Sequence, residues 1–351
     1  MKNSTLWLLI CTASLIVSCG DKKETVTETA ATENTETGTP GFEYQVEQFA
    51  DVKVLRYQIP GWEALPLQKQ KLIYYLTEAG LAGRDIMWDQ NYRHNLKIRK
   101  AMEQVYTTYT GDKGTEDWKQ FETYLKRIWF SNGIHHHYST VKMKPGYSKE
   151  YLRTLLDETG ADLTGEAFEV LFNDKDAKKV NLDKDADIVL ESAVNFYGPD
   201  VTDAEVEKYY AAIKVDENEP IEKGLNSKLV KENGKLTEKV YKSGGLYGTA
   251  IDQIIKWLHK AKEVAENENQ ATAIGLLIDY YTTGSLDTWD DYAVAWVNAT
   301  EGDIDWINGF IEVYNDPKGY KGSYETIVQL KDFDMSKKMA VLSEEAQWFE
   351  D

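Results

Sequence analysis

Apolar residues recur along this chain at two spacings, and each change of spacing marks an element. Over residues 65–82, Leu72, Leu76 and Ala79 fall on one helical stripe, and Gly83 follows as a stop. Similar patterns predict helices over residues 95–109, 115–130, 149–159, 165–171 and 188–196. Thr202-Asp203-Ala204-Glu205 has the form of a capping box, in which hydroxyl and carboxylate satisfy each other's backbone amides, so it opens a helix over 203–214. A long amphipathic helix over 249–267 buries Ile251, Ile254, Ile255, Leu258 and Ala261, and a second over 270–281 turns Ile274, Leu277 and Ile278 inward. The period shortens to two over 49–59, a strand closed by Pro60-Gly61, and over 225–238, a strand or hairpin around Asn233-Gly234. A last helix over 336–351 sets Met339, Leu342, Ala346 and Phe349 on one side. No internal repeat is present. The expected class is α+β, predominantly helical with a minority of strands.

Composition narrows this picture. The 351 residues include 10 Trp, 22 Tyr and 10 Phe, so most of the length must build a core, as one large domain or two modest ones. The formal charge of −19, from 59 acids against 40 bases, repels a polyanion. With no Lys/Arg cluster interleaved with aromatics, nucleic acid is excluded as an expected partner.

The first residues have a separate logic. Lys2 and the apolar run 6–16 form a segment too short to span a bilayer, ending Leu15-Ile16-Val17-Ser18-Cys19-Gly20. This resembles the lipobox of bacterial lipoproteins. It implies a signal peptide over 1–18, a lipid on Cys19, and a membrane anchor at the cell envelope, on the periplasmic face or the cell surface. An ordinary signal peptide with an incidental cysteine is the alternative. With Cys11 removed and Cys19 lipidated, no thiol is left for a disulfide, a zinc site or a nucleophile. Residues 19–41 are Thr/Glu-rich and read as a disordered tether, and globular sequence starts at Phe42.

Several segments suggest chemistry. Consecutive His135, His136 and His137 point in divergent directions and have no His at helical ligand spacing, which favours a loop element over a zinc site. Asp183 to Asp187 begins like a calcium loop, but Ile188 stands where Gly is needed and Val194 where Glu is needed, leaving an acidic surface turn. The Gly-rich stretch from Ser243 to Gly248 precedes a helix without the Lys or spacing of a phosphate loop, so a close backbone passage is the preferred reading. Gly-x-Ser-x-Gly is absent.

Residues 303–317 alternate, with Ile307, Gly309, Ile311 and Val313 on an apolar face and Trp306, Asn308, Phe310, Glu312 and Tyr314 on the other. On such a strand Glu312 could take a substrate ammonium, and Tyr314 could donate to a developing oxyanion. A half-exposed sheet face with a solvated Glu and an amphipathic Tyr fits the same spacing.

Gly309-Phe310-Ile311-Glu312-Val313-Tyr314-Asn315-Asp316-Pro317 resembles the Gly-Phe-Ile-Glu-x-Tyr-x-Asp-Pro signature of the dipeptidyl peptidase III family. Residues 261–270 and 280–286 are similar to that family at the same distance upstream. So are Gly83-Arg84-Asp85, Asp89-Gln90-Asn91-Tyr92 and the run from Trp129 to Tyr138, in the manner of its Bacteroidetes-like branch. The likeness extends from Phe42 to the C-terminus.

The resemblance implies a two-lobed zinc exopeptidase that removes dipeptides from the N-termini of short peptides. Glu312 would bind the peptide's α-ammonium, and Tyr314 would hydrogen-bond the scissile carbonyl oxygen. The family carries zinc on His-Glu-x-x-x-His and Glu-Glu-Cys-x-x-Glu helices, and neither motif occurs here. Zinc is therefore implied for a full-length member, with no metal ligand expected on this chain, which is expected to be inactive alone. The expectation is an N-terminal fragment: residues 42–335 as most of the lower, non-zinc lobe and 336–351 as the start of a truncated zinc-binding lobe. The alternatives are a non-catalytic envelope lipoprotein that binds short peptides, or one in which these residues serve packing alone.

Overall fold

The computed structural model describes residues 41–214 and 222–351. The signal peptide, Cys19 and all of the tether before Gly41 lie outside the described residues. The chain is predominantly helical α+β, as the periodicity requires.

An antiparallel hairpin, β1 (Gln45–Phe49) and β2 (Val52–Leu55), stands where a single strand over 49–59 was expected. The chain reverses between Phe49 and Val52, with Ala50 in the left-handed region at φ 46°. The helix α1 (Leu67–Ala82) begins after Pro66, whose missing N–H costs nothing at a helix start. The short α2 (Arg84–Asn91) escapes the periodicity because two of its buried positions are the polar Gln90 and Asn91. Then come α3 (Asn95–Thr108), α4 (Glu116–Ser131), α5 (Lys149–Thr159) and α6 (Glu166–Glu169). Hydroxyl caps open two of these, Thr115 Oγ1 accepting from Trp118 N and Ser148 Oγ from Tyr151 N.

The expected helix over 188–196 does not form. The N–H groups of Ala193, Val194 and Asn195 donate instead to the carbonyls of Lys178, Lys179 and Gln90, at 3.0, 3.1 and 2.7 Å. Its apolar residues were spaced for a small core of Val189, Val194, Phe196, Val201, Val206, Tyr210 and Leu229, and that spacing mimics a helix. The capping box at Thr202 and Glu205 is complete and opens α7 (Asp203–Ala211). Strands β3 (Ser227–Glu232) and β4 (Lys235–Val240) pair antiparallel about Asn233-Gly234, both at positive φ as a tight hairpin turn needs.

Helix α8 (Gly248–Glu263) ends where Val264 leaves the helical region at φ −120°, short of the expected 267, and α9 (Glu268–Thr283) opens at Asn267, which caps it by accepting from Gln270 N. The helix α10 (Leu286–Asn298) was not expected, although Leu286, Trp289, Tyr292 and Trp296 recur at helical spacing; Tyr292 is buried and the other three pack half-buried on the same core. Strand β5 (Ile304–Phe310) pairs antiparallel with β6 (Tyr324–Leu330), from Ile304 opposite Leu330 to Phe310 opposite Tyr324.

The buried face of β5 is mainly the aromatic one. Ile304, Trp306, Asn308 and Phe310 are buried and Ile307 is only half-buried. The aromatic rings carry more apolar area than the branched aliphatics, and they enter the core that α1, α8 and α9 build with Leu72, Leu76, Ile254, Leu258 and Ile274. A separate core of α3, α4 and α5 centres on Trp118, Phe121 and Leu125. At the end, the single helix expected from 336 is two, α11 (Phe333–Glu344) and α12 (Ala346–Glu350). It starts earlier because Asp332 caps it, accepting from Asp334 N and Met335 N at 3.1 and 3.0 Å.

Candidate functional site

Strand β5 ends at Phe310, so Glu312 and Tyr314 do not share a strand face as the alternation suggested. They sit on the loop of residues 311–323 that joins β5 to β6, both exposed, Tyr314 by 69%. Physical chemistry at the two feet of this loop fixes where it emerges. Phe310 is sealed between the rings of Tyr241 and Tyr324, with centroids at 4.8 and 5.8 Å. Beyond it two more backbone bonds join the feet of the loop, Ile311 N to Ser323 O at 3.0 Å and Ser323 N to Glu312 O at 2.9 Å, setting two residues opposite one. The backbones approach so closely here that a Cβ on Gly322 would lie 2.7 Å from the carbonyl carbon of Phe310. Gln90 of α2 clasps the return strand, its amide donating to Gly322 O at 3.0 Å and accepting from Tyr324 N at 2.8 Å.

The loop turns on Asp316. Its buried carboxylate accepts from Lys318 N at 3.1 Å, Tyr320 N at 2.7 Å, Lys321 N at 2.9 Å and the Tyr197 hydroxyl at 2.8 Å. Burial raises its pKa despite these donors. Asp316-Pro317-Lys318-Gly319 is the residue set a type I turn prefers, which is the signal that could have found this anchor from sequence.

Electrostatics tie the exposed face together. Burial raises the Tyr314 phenol, and the negative charges of Glu325 and Glu312 raise it further. Glu325, on β6, is itself raised, by burial first and then by Glu312. The structure thus brings Glu312, Tyr314 and Glu325 into one acidic, hydroxyl-bearing patch, and Glu325 is the member that sequence reading missed. A carboxylate pair with a phenol can receive a cationic amine and donate one hydrogen bond to an adjacent carbonyl.

The other candidates resolve into structural roles. His135 is buried with Nε2 2.8 Å from Asp176 O, and desolvation depresses its pKa to about 4. His136 Nδ1 accepts from Tyr138 N and Ser139 N at 3.1 Å, which makes the triplet part of a turn. Asp187 closes the acidic turn by accepting from Val189 N, Leu190 N and Asp203 N. The Gly-rich stretch is the close passage expected: a Cβ on Gly245 would lie 2.5 Å from Val240 O. Among the described residues no group of three or more His, Cys, Asp or Glu is placed to hold a metal ion, so no zinc ligand is assigned to them.

A model of peptidase family M49 matches residues 182–349, a span that contains α7 through α11 and the whole 311–323 loop. Over that span this chain is similar to peptidase family M49. Dipeptidyl peptidase 3 of Dictyostelium discoideum is 23% identical over 255 residues, 67% of this chain and 36% of that protein. Dipeptidyl peptidase 3 of Nematostella vectensis is 31% identical over 103 residues, 29% of this chain and 14% of that one. The solved structure of DPP III from Caldithrix abyssi superposes with a TM-score of 0.54 at 21% identity, over 81% of this chain and 43% of that chain. The dipeptidyl-peptidase III from Corallococcus sp. strain EGB gives 0.55 at 15%, over 83% and 44%. These two likenesses show that the helical α+β body shares the fold of those two structures. The chain spans less than half the length of these relatives.

Proposed function

We propose that this chain supplies the peptide-amine-binding part of a dipeptidyl peptidase III-like exopeptidase that releases dipeptides from peptide N-termini. The observation that carries the reading is the exposed pair Glu312 and Tyr314 on a loop whose feet are locked by Phe310, Gly322 and Asp316. In it Glu312 accepts from the α-ammonium of a short peptide, and Tyr314 donates to the carbonyl oxygen of the scissile bond. Glu325 adds negative potential that favours the cation. Zinc belongs to the family reading, and the described residues do not form a site that fits it, so no step is derived through the metal.

Export and anchorage through a lipid on Cys19 belong to the same proposal, as does the division into a tether, a lower-lobe body over 42–335 and the start of a second lobe over 336–351. The lipobox pattern supports the anchor, and among the described residues no helix is long and apolar enough to cross a membrane.

Isothermal titration of a free-amine tetrapeptide against its N-acetylated form tests the amine site. The free amine should bind and the acetylated peptide should not. Glu312→Gln should weaken binding roughly 10-fold or more and Tyr314→Phe less, the range expected for a charge-assisted bond and a neutral one. Equal binding of both peptides, or of wild type and Glu312→Gln, would refute the assignment.

A further inference from the structure

Lys321 sits in the same loop and is completely buried. Its ammonium donates to Ser227 Oγ at 2.9 Å and Gly224 O at 3.1 Å, touches the Tyr210 hydroxyl, and lies 3.4 Å from Glu238 Oε1. Glu238 in turn accepts from the Tyr210 hydroxyl at 2.5 Å and Ser227 Oγ at 2.8 Å. The charge also rests 4.9 Å from the centre of the Tyr210 ring, which stacks on Tyr320 at 4.3 Å. One lysine thereby fastens the 311–323 loop to α7, β3 and β4, elements far away in sequence.

Stability alone does not explain such a residue. A buried ion pair seldom outweighs the desolvation of its two charges, and an apolar side chain of similar volume would serve packing as well. What the network adds is a fixed position. Three partners on α7, β3 and β4, with the Gly224 carbonyl just before β3, hold the lysine between the Asp316 turn and the Gly322 close approach. The side chains that this loop presents to solvent are Glu312 and Tyr314.

We propose that Lys321 is a positioning residue for Glu312 and Tyr314, holding their loop in register with the β3–β4 hairpin through Glu238, Tyr210 and Ser227. This inference rests on the peptide-amine reading for its functional consequence. The charged and titratable groups facing the ammonium are Glu238, Asp316, Tyr197 and Tyr210. Burial and their acidic partners push both phenols far above the ordinary tyrosine value, and burial draws Lys321 down to about 8.

Full-length protein carrying Lys321→Met or Glu238→Gln tests this in two ways. Amide hydrogen exchange without ligand should accelerate in residues 311–323 and not in α3–α5, which belong to a different core. Affinity for the free-amine tetrapeptide should drop about tenfold in Lys321→Met near pH 6.5. An affinity unchanged by Lys321→Met, or exchange that rises evenly over the whole chain, would reduce Lys321 to a packing residue and overturn the proposal. Should Lys321→Met fail to fold, Glu238→Gln keeps the buried shape and answers the same question. If wild type binds no peptide, the amine reading falls, and selective exchange in the loop alone decides whether Lys321 sets its position.

Discussion

At the residue scale the loop is governed by where charge is buried and where it is merely crowded. Asp316 and Lys321 are inside, surrounded by donors or acceptors, and Glu325 is half-buried beside Glu312. The pKa of Glu325 is raised in the fold, so its ionisation costs stability. That cost is absent below the ordinary glutamate range, where the group is neutral folded and unfolded, and it appears as pH rises through the raised value. Glu325→Gln should therefore raise the melting temperature at pH 7 and leave it unchanged near pH 3, with solvent screening keeping the gain below about 1 kcal/mol. Thermal melts across that range check the sign. A loss of stability at pH 7 would show that Glu325 is paired rather than crowded. The residue types in the Asp-Pro-x-Gly turn were legible from the chain, whereas the partners of Lys321 were not. Gly224, Ser227 and Glu238 are about a hundred residues away in sequence, and no local pattern encodes that meeting.

At the element scale, hydrophobic period and caps located helices well and strands less so. The helices α1, α3, α4, α5, α8 and α9 begin and end within a few residues of where stripes, hydroxyl caps and glycines indicate. The failures have particular causes. In α2 half of the buried positions are polar, and over 188–196 a packed coil imitates helical spacing; the Leu286, Trp289, Tyr292 and Trp296 stripe of α10 was legible and was passed over. On β5 both faces carry large residues, and which face is buried depends on the neighbours; the rings of Trp306 and Phe310 win because the facing helices offer an aromatic-lined core. Just before β6, a Cβ on Gly322 would meet backbone atoms of Phe310 and Ile311. Gly322→Ala should cost roughly 1–3 kcal/mol, since backbone cannot swing aside as a side chain can. Denaturant unfolding reads this, and a change within error would mean that the strands part freely here.

At the scale of the whole molecule, α11 and α12 stand apart from the three cores. Phe333, Met335, Met339, Leu342, Trp348 and Phe349 are all exposed, and none belongs to a core cluster. Removing residues 333–351 should shift unfolding by no more than about 0.5 kcal/mol, the usual range for surface changes. A larger loss would place those helices in the cooperative unit. The family match includes α11 and ends within α12, so the likeness to peptidase family M49 extends past the folded cores.

By itself the sequence determined the class of fold, most helix positions, the capping box, the tight hairpin turn and the pair Glu312 and Tyr314 as the residues to watch. Each of these is written in local spacing, in backbone preference, or in a short signature whose residues are contiguous. Only the tertiary structure decided that the pair rides a loop rather than a strand face, that Glu325 joins it, and that Asp316 and Lys321 hold it in place. Those outcomes depend on burial. Burial is set by which distant elements arrive at the same point, and it decides whether a carboxylate or an ammonium is a solvated surface charge or the fixed centre of a network.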